Sequence, residues 1–129
     1  MGDDVPVHYW CPVDAPMEVL GGKWKLAILY YLLHGPRRNG ELRRLVPPIT
    51  QKMLTQQLRE LENAGIVIRT VHEQVPPKVV YSVHPDERPA LEPLVDALCT
   101  WGLDWARRTG ATIDVFASGS GFAGRANGG

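Results

Sequence analysis

The sequence predicts a mainly α chain with one small β-hairpin, on three observations. A helix between Thr50 and Gly65 carries its own start and stop signals. Two β-branched runs follow it, Ile66–Val71 and Val79–Val83, joined by a Pro-containing connection. Helical apolar spacing occupies the chain on both sides of this unit. At 129 residues the chain fits one domain with a single core.

Taken in order, residues 1–12 read as an arm, polar and Pro-containing until Tyr9-Trp10-Cys11-Pro12. A short helix is expected next, with Asp14 near its cap, Pro16 in its first turn, and Val13, Met17 and Leu20 along one side. Gly21-Gly22 breaks it. Trp24 to Leu33 is apolar on nearly every face, the pattern of a central helix packed on most sides, and His34-Gly35-Pro36 closes it. Lys23 and Lys25 stand at its start, where the helix dipole disfavours cations. They are expected to be solvated, with phosphate contact as the alternative. Arg37-Arg38 forms a very short strand, and Asn39 or Gly40 begins a two-turn helix through Val46.

Pro47-Pro48 ends that helix, because proline clashes with the preceding turn and has no N–H to donate. Thr50 can then cap the first free amides, with Ile49 and Leu54 at the two positions of a hydrophobic staple. Gly65 suits the left-handed residue that closes a helix, and Leu61 and Ile66 are placed for the accompanying apolar contact. Leu54, Leu58 and Leu61 repeat at helical spacing and face a core. The opposite face reads Gln51, Lys52, Thr55, Gln56 and Arg59, with no carboxylate. Polar helix faces are usually just solvated, but amides, a hydroxyl and two cations also suit base edges and phosphates.

The order of elements decides between those readings. A short helix, a tight Pro turn and a capped helix make the helix-turn-helix order. The hairpin that follows, with its tip over Glu73–Lys78, completes a winged helix-turn-helix. One helix of that arrangement enters the major groove while the wing straddles phosphates or reaches a minor groove.

From Asp86 the chain returns to helix, with Leu91, Leu94, Val95, Leu98, Trp101, Gly102 and Trp105 as an apolar stripe. Pro89 is tolerable in a first turn, whereas Pro93 should kink or delay the helix. A winged helix is already complete at Val83, so the stripe needs another surface. A twin helix from a second subunit is expected to supply it, the alternative being the chain's own domain. The predicted dimer interface is Tyr9, Trp10, Leu94, Leu98, Trp101 and Trp105. The winged-helix domain with its extra N- and C-terminal dimerisation helices then spans 13–109. Residues 110–129, rich in Gly, Ala and Ser, are expected to form a disordered tail.

Charge supports a nucleic-acid partner once its distribution is read. The net charge is zero, yet Gly35–Val80 holds eight Lys/Arg against four Asp/Glu, and the remainder holds six against ten. A basic middle within an acidic remainder is a directional field, here matched to double-stranded DNA. Gln51, Thr55 and Gln56 are expected on base edges, with Lys52 and Arg59 on base edges or phosphate. Arg43, Arg44, Lys78, Arg37 and Arg38 are expected on the backbone.

An enzyme finds no support. His8, His34, His72 and His84 are scattered, and no Ser/His/Asp grouping, phosphate-binding Gly loop or carboxylate pair has a fitting context. His8-x-x-Cys11 has ligand-like spacing, but two ligands are not a zinc site, so neither metal nor cofactor is expected. Two cysteines, Cys11 and Cys99, make no disulfide framework and fit a reducing compartment. Without a signal peptide, lipidation motif or long apolar run, the expected location is the cytoplasm, with no membrane partner.

Six ordered motifs carry a family resemblance: Cys-Pro-Val (11–13), Leu-Gly-Gly-Lys-Trp-Lys (20–25), Gly-Glu-Leu-Arg-Arg (40–44), the run from Ile49 to Leu61, Val-Pro-Pro-Lys-Val-Val-Tyr (75–81) and Leu-Cys-Thr-Trp-Gly (98–102). Together they resemble the HxlR-type transcriptional regulators, bacterial and archaeal winged-helix proteins related to the MarR group. Asn39 stands where that family commonly has an aromatic residue, and His84–Pro89 replaces its usual Thr-x-x-Gly turn. The resemblance implies a homodimer joined by its first and last helices on a pseudo-palindromic operator. It also implies that Cys11 matches an N-terminal cysteine which some members use to sense oxidants or small electrophiles.

Read by themselves, the surroundings of Cys11 point both ways. A following helix start favours thiolate, whereas burial by Tyr9 and Trp10 and the charge of Asp14 oppose it. Cys99, inside the last helix, is expected to be buried and inert. Two further readings stay open. One is a repressor whose small-molecule effector lodges among Trp10, Trp101, Trp105 and neighbouring aliphatics. The other is a winged helix used only as a protein-interaction module, whose mark would be an acidic or apolar face on the capped helix.

Overall fold

The placement of leucines, prolines and glycines is realised almost residue for residue in the computed structural model, which describes residues 7–114. The first six residues of the expected arm and the expected tail from 115 onward lie outside the described residues. The elements run α1 (Asp14–Leu20), α2 (Lys25–Leu32), α3 (Asn39–Leu45), α4 (Gln51–Asn63), β1 (Val67–His72), β2 (Lys78–Val83) and α5 (Arg88–Thr109).

The core forms where α2, α3 and α4 meet. Ile28, Leu29 and Leu32 of α2, Leu42 of α3, and Leu54, Leu58 and Leu61 of α4 are buried together with Ile49. Burial of each such side chain contributes about 1.5–3 kcal/mol, which is why α2, apolar all round, lies innermost. At the start of α4 the Thr50 hydroxyl accepts a hydrogen bond from the Met53 amide at 3.1 Å, the predicted cap. At its end Gly65 adopts φ 79°, and the Ile66 amide donates to the Leu61 carbonyl at 2.9 Å. Any residue with a Cβ would be strained at that φ.

The wing is an antiparallel pair in register from Val67↔Val83 to His72↔Lys78. Relative to the expected spans, β1 is shifted by one residue and β2 gains one at its start. Ile66 is drawn into the closure of α4, and Lys78 opens β2 opposite His72 instead of standing within the tip. Arg37 forms a single bridge to Tyr81, so the short strand expected at Arg37-Arg38 survives as one paired residue.

The two ends depart from the expected pattern in more detail. Of the α1 side formed by Val13, Met17 and Leu20, only Leu20 is buried. Helix α5 begins at Arg88, takes Pro89 into its first turn and runs through Pro93 without delay. Proline lacks the backbone N–H, so the helix forgoes a single hydrogen bond at Pro93. The start of α5 is pinned instead by Arg88, whose guanidinium donates to the Leu33 carbonyl at 3.1 Å and to Glu92 at 2.8 Å. The His84 carbonyl accepts from the Glu87 and Arg88 amides, forming the turn that leads in. Leu91 and Val95 fold back onto the chain's own core, while Leu94, Leu98, Trp101 and Trp105 stay exposed.

Candidate nucleic-acid interface

With its leucines turned inward, α4 must present Gln51, Lys52, Thr55, Gln56 and Arg59 outward. Four of these are exposed and Thr55 is partly so. Neither Lys52 nor Arg59 has an ion-pair partner among the described residues. The Gln51 amide donates to the Thr55 hydroxyl at 3.0 Å, and the Gln56 amide donates to Glu60 at 3.2 Å.

Glu60 corrects the expectation of a face without carboxylates, since it borders the face one turn beyond Gln56. Its charge is balanced from behind: Lys25 Nζ of α2 lies 2.7 Å from Glu60 Oε1. Lys25 therefore neither points into solvent nor waits for phosphate, and its side chain is only 13% exposed. The Lys25 ammonium, followed by the Gln56 amide, holds the Glu60 carboxyl below its ordinary range. Sequence reasoning placed Lys25 in solvent and passed over Glu60. The i,i+4 spacing of Gln56 and Glu60 was a readable signal for one of the two contacts.

The backbone candidates divide into three groups. Arg38, Arg44 and Lys78 line one hollow of about 410 Å³ between α3 and the wing, together with Glu41. Glu41 is occupied at the start of α3, where it accepts from the Arg38 backbone amide at 2.7 Å. The three cations of the hollow have no ion-pair partner among the described residues. Arg43 is exposed on α3 but does not line the hollow. Arg37 is set apart: its Nε donates to the Tyr31 carbonyl, and its backbone is held in the bridge to Tyr81.

Four of the candidate dimer residues, Leu94, Leu98, Trp101 and Trp105, form an uncovered apolar surface on α5. The rings of Trp101 and Trp105 stack at 5.3 Å, and Leu94 and Leu98 continue the face. In the arm, the Tyr9 hydroxyl donates to Glu18 of α1, and Trp10 is 88% exposed. Cys11 is exposed rather than covered by those two aromatics. Cys99 is partly buried, and burial followed by the nearby Asp96 charge pushes its thiol pKa up.

A separate apolar cavity of about 330 Å³ lies between α2 and α5, lined in part by Leu26, Tyr30, Leu98, Cys99 and Leu103. None of Trp10, Trp101 and Trp105 lines it. Tryptophans one turn apart on a helix share its outer face, whereas the cavity forms where two helices diverge. Among the described residues no helix is long and apolar enough to cross a membrane.

Comparison with known proteins adds the following. The family model HxlR, an HxlR-like helix-turn-helix, matches residues 19–110. The HTH-type transcriptional regulator YtcD of Bacillus subtilis (strain 168) is 53% identical over 108 residues, covering 83% of this chain and 85% of that relative. The solved structure of the redox regulator HypR in its oxidized form superposes with a TM-score of 0.67 at 47% identity, covering 81% of this chain and 100% of that one. The crystal structure of the quinone-bound YodB from B. subtilis superposes with a TM-score of 0.61 at 32% identity, covering 73% and 99% respectively.

Proposed function

The chain belongs to the HxlR-like helix-turn-helix family of DNA-binding transcriptional regulators, and from that premise we propose that it acts as a homodimer on a pseudo-palindromic operator and responds to oxidants or electrophiles through Cys11. It is not an enzyme. The observation that carries the reading is the outward face of α4, a row of amides, a hydroxyl and two unpaired cations beside the cationic hollow of Arg38, Arg44 and Lys78. On this reading α4 is the recognition helix. Gln51, Thr55 and Gln56 address base edges, Lys52 and Arg59 address bases or phosphate, and the hollow grips the backbone. That face is neither acidic nor strongly apolar, which argues against a module reserved for protein contacts.

The dimer is supported by the uncovered α5 face, which two copies bury by pairing about a two-fold axis. Two recognition helices then address half-sites about one helical turn apart. Cys11 is supported as the sensor by its exposure, since a thiol must meet its oxidant, and by the redox regulator HypR and the quinone-bound YodB among the structural neighbours. Free cysteines fit the reducing cytoplasm. One observation favours a second reading: the cavity between α2 and α5 has the size and apolar lining suited to a small effector.

The test is a footprint on the DNA flanking the protein's own gene, repeated across salt concentrations. Protection of two inverted half-sites, lost steeply as salt rises, is the expected result. Protection of a single stretch without symmetry refutes the operator geometry. No protection of any duplex at low salt refutes the whole reading.

A further inference from the structure

We propose that Glu60, anchored by Lys25, fixes which way round the Gln56 amide faces the DNA and thereby makes Gln56 a reader of adenine rather than guanine. The inference rests on the DNA-binding reading above. Its starting point is that the two oxygens of Glu60 are separately engaged, Oε1 by Lys25 Nζ at 2.7 Å and Oε2 by the Gln56 amide at 3.2 Å. An ionised carboxylate has lone pairs and no hydrogen to offer. The end of the Gln56 amide that faces it must therefore be the NH2, however oxygen and nitrogen are assigned. Lys25 keeps the carboxylate ionised and in place from inside the protein, because it stems from the first turn of the core helix α2 and is itself largely covered.

One amide hydrogen is committed to Glu60 in this arrangement. The carbonyl oxygen and the second hydrogen remain side by side on the free edge. Adenine offers the matching pair in the major groove, an N6 amine that donates and an N7 that accepts. Guanine offers only acceptors there, O6 and N7, and the Gln56 oxygen would stand unpaired against one of them. An untethered glutamine can turn over to follow its base, but one held by a carboxylate cannot. Gln51 supplies the internal contrast. Its amide donates to the Thr55 hydroxyl at 3.0 Å, and a hydroxyl both donates and accepts, so that contact fixes no orientation.

The experiment is selection of duplexes from a randomised pool by the full-length protein, comparing the parent with Gln56→Ala, Glu60→Gln, Lys25→Met and Lys25→Arg. The base pair that loses its preference in Gln56→Ala identifies the position read by Gln56. The parent is expected to prefer adenine over guanine there by roughly tenfold, the scale of one bidentate contact. In Glu60→Gln, which keeps the shape but can donate as well as accept, that ratio should fall towards unity while other positions hold. Lys25→Met should lower it as well, and Lys25→Arg, which retains the cation, should restore it. Should Glu60→Gln lower only the melting temperature and leave the ratio intact, the pair is a mere tie between α2 and α4 and the proposal is overturned. Guanine preferred by the parent at that position overturns it equally. A parent that selects no duplex at all overturns the DNA-binding reading, and this one with it.

Discussion

Truncating Trp101 to Ala separates association from folding, because this side chain is 60% exposed in the single chain. A tryptophan presents roughly 200 Å², so about 120 Å² of Trp101 stands in water unless a partner covers it. At about 25 cal/mol per Å², covering it contributes about 3 kcal/mol. A two-fold interface covers it twice, giving about 6 kcal/mol, or some four orders of magnitude in the dissociation constant. Side-chain ordering offsets part of that gain, so a loss of at least about a hundredfold is expected. The isolated fold should hardly notice the change, since its core is carried by residues such as Leu54, Leu58 and Leu61. Leu91→Ala is the counterpart: Leu91 is buried within the chain, so stability should fall by about 2–5 kcal/mol whatever the oligomeric state. Sedimentation velocity from nanomolar to micromolar concentration reads the association, and thermal melting at high dilution reads the fold. A Trp101→Ala variant that dimerises as tightly as the parent, or a parent that sediments as a monomer at micromolar concentration, refutes the assignment of this face.

The other perturbations act on separate parts of the molecule. Lys78→Ala should weaken binding to all duplexes alike and flatten the salt slope by about one unit, whereas Gln56→Ala should relax base preference at a cost of about 1–3 kcal/mol. An exchange of those two signatures in a binding titration would undo the division of roles. Thr50→Ala removes the cap on α4 and should cost about 1 kcal/mol in a denaturant melt; no change would mean the cap contributes nothing. Cys11→Ser should keep operator binding after diamide or quinone treatment that disarms the parent, and equal loss in both excludes Cys11 as the sensor. Cys99 has its thiol pKa raised, so its reactive thiolate is scarce at neutral pH and appears only as pH rises beyond the ordinary thiol range. Mass-resolved alkylation should accordingly modify Cys11 first, and faster labelling of Cys99 at neutral pH would contradict the burial ascribed to it.

What was legible in the sequence was what the chain decides locally. Thr50, Gly65 and three leucines at helical spacing delimit α4 without reference to anything outside it. β1 starts one residue later than expected because the Ile66 amide is used on the Leu61 carbonyl in closing α4. Periodicity shows that residues share a face but not what covers it. The single stripe on α5 was therefore divided by the fold, with Leu91 and Val95 going to the core and Trp101 and Trp105 left outside. Lys25 was the least legible. Judged against its own helix it stands at an unfavourable end, and the carboxylate that explains it arrives from α4, far along the chain. The cavity between α2 and α5 escaped for a related reason, since its lining comes from two helices far apart in the sequence.

The zero net charge of the chain resolves in the same way once partners are assigned. Within the basic segment 35–80, Glu41 is occupied by the Arg38 backbone amide and Glu60 by Lys25, so two of its four carboxylates are engaged within the protein. Beyond it, Glu92 pairs with Arg88, and Asp104 with Arg107 and Arg108, all on α5. Screening confines each charge to a neighbourhood of about 8 Å at physiological ionic strength. A duplex against α4 and the wing should therefore respond to the surplus of Lys and Arg there and scarcely to the acidic remainder. Raising salt should abolish the phosphate-dependent part of binding. Titrations of a duplex lacking the operator isolate this electrostatic component. If its affinity scarcely followed salt, phosphate contact would not carry the encounter, and the basic face would not be the surface that meets DNA.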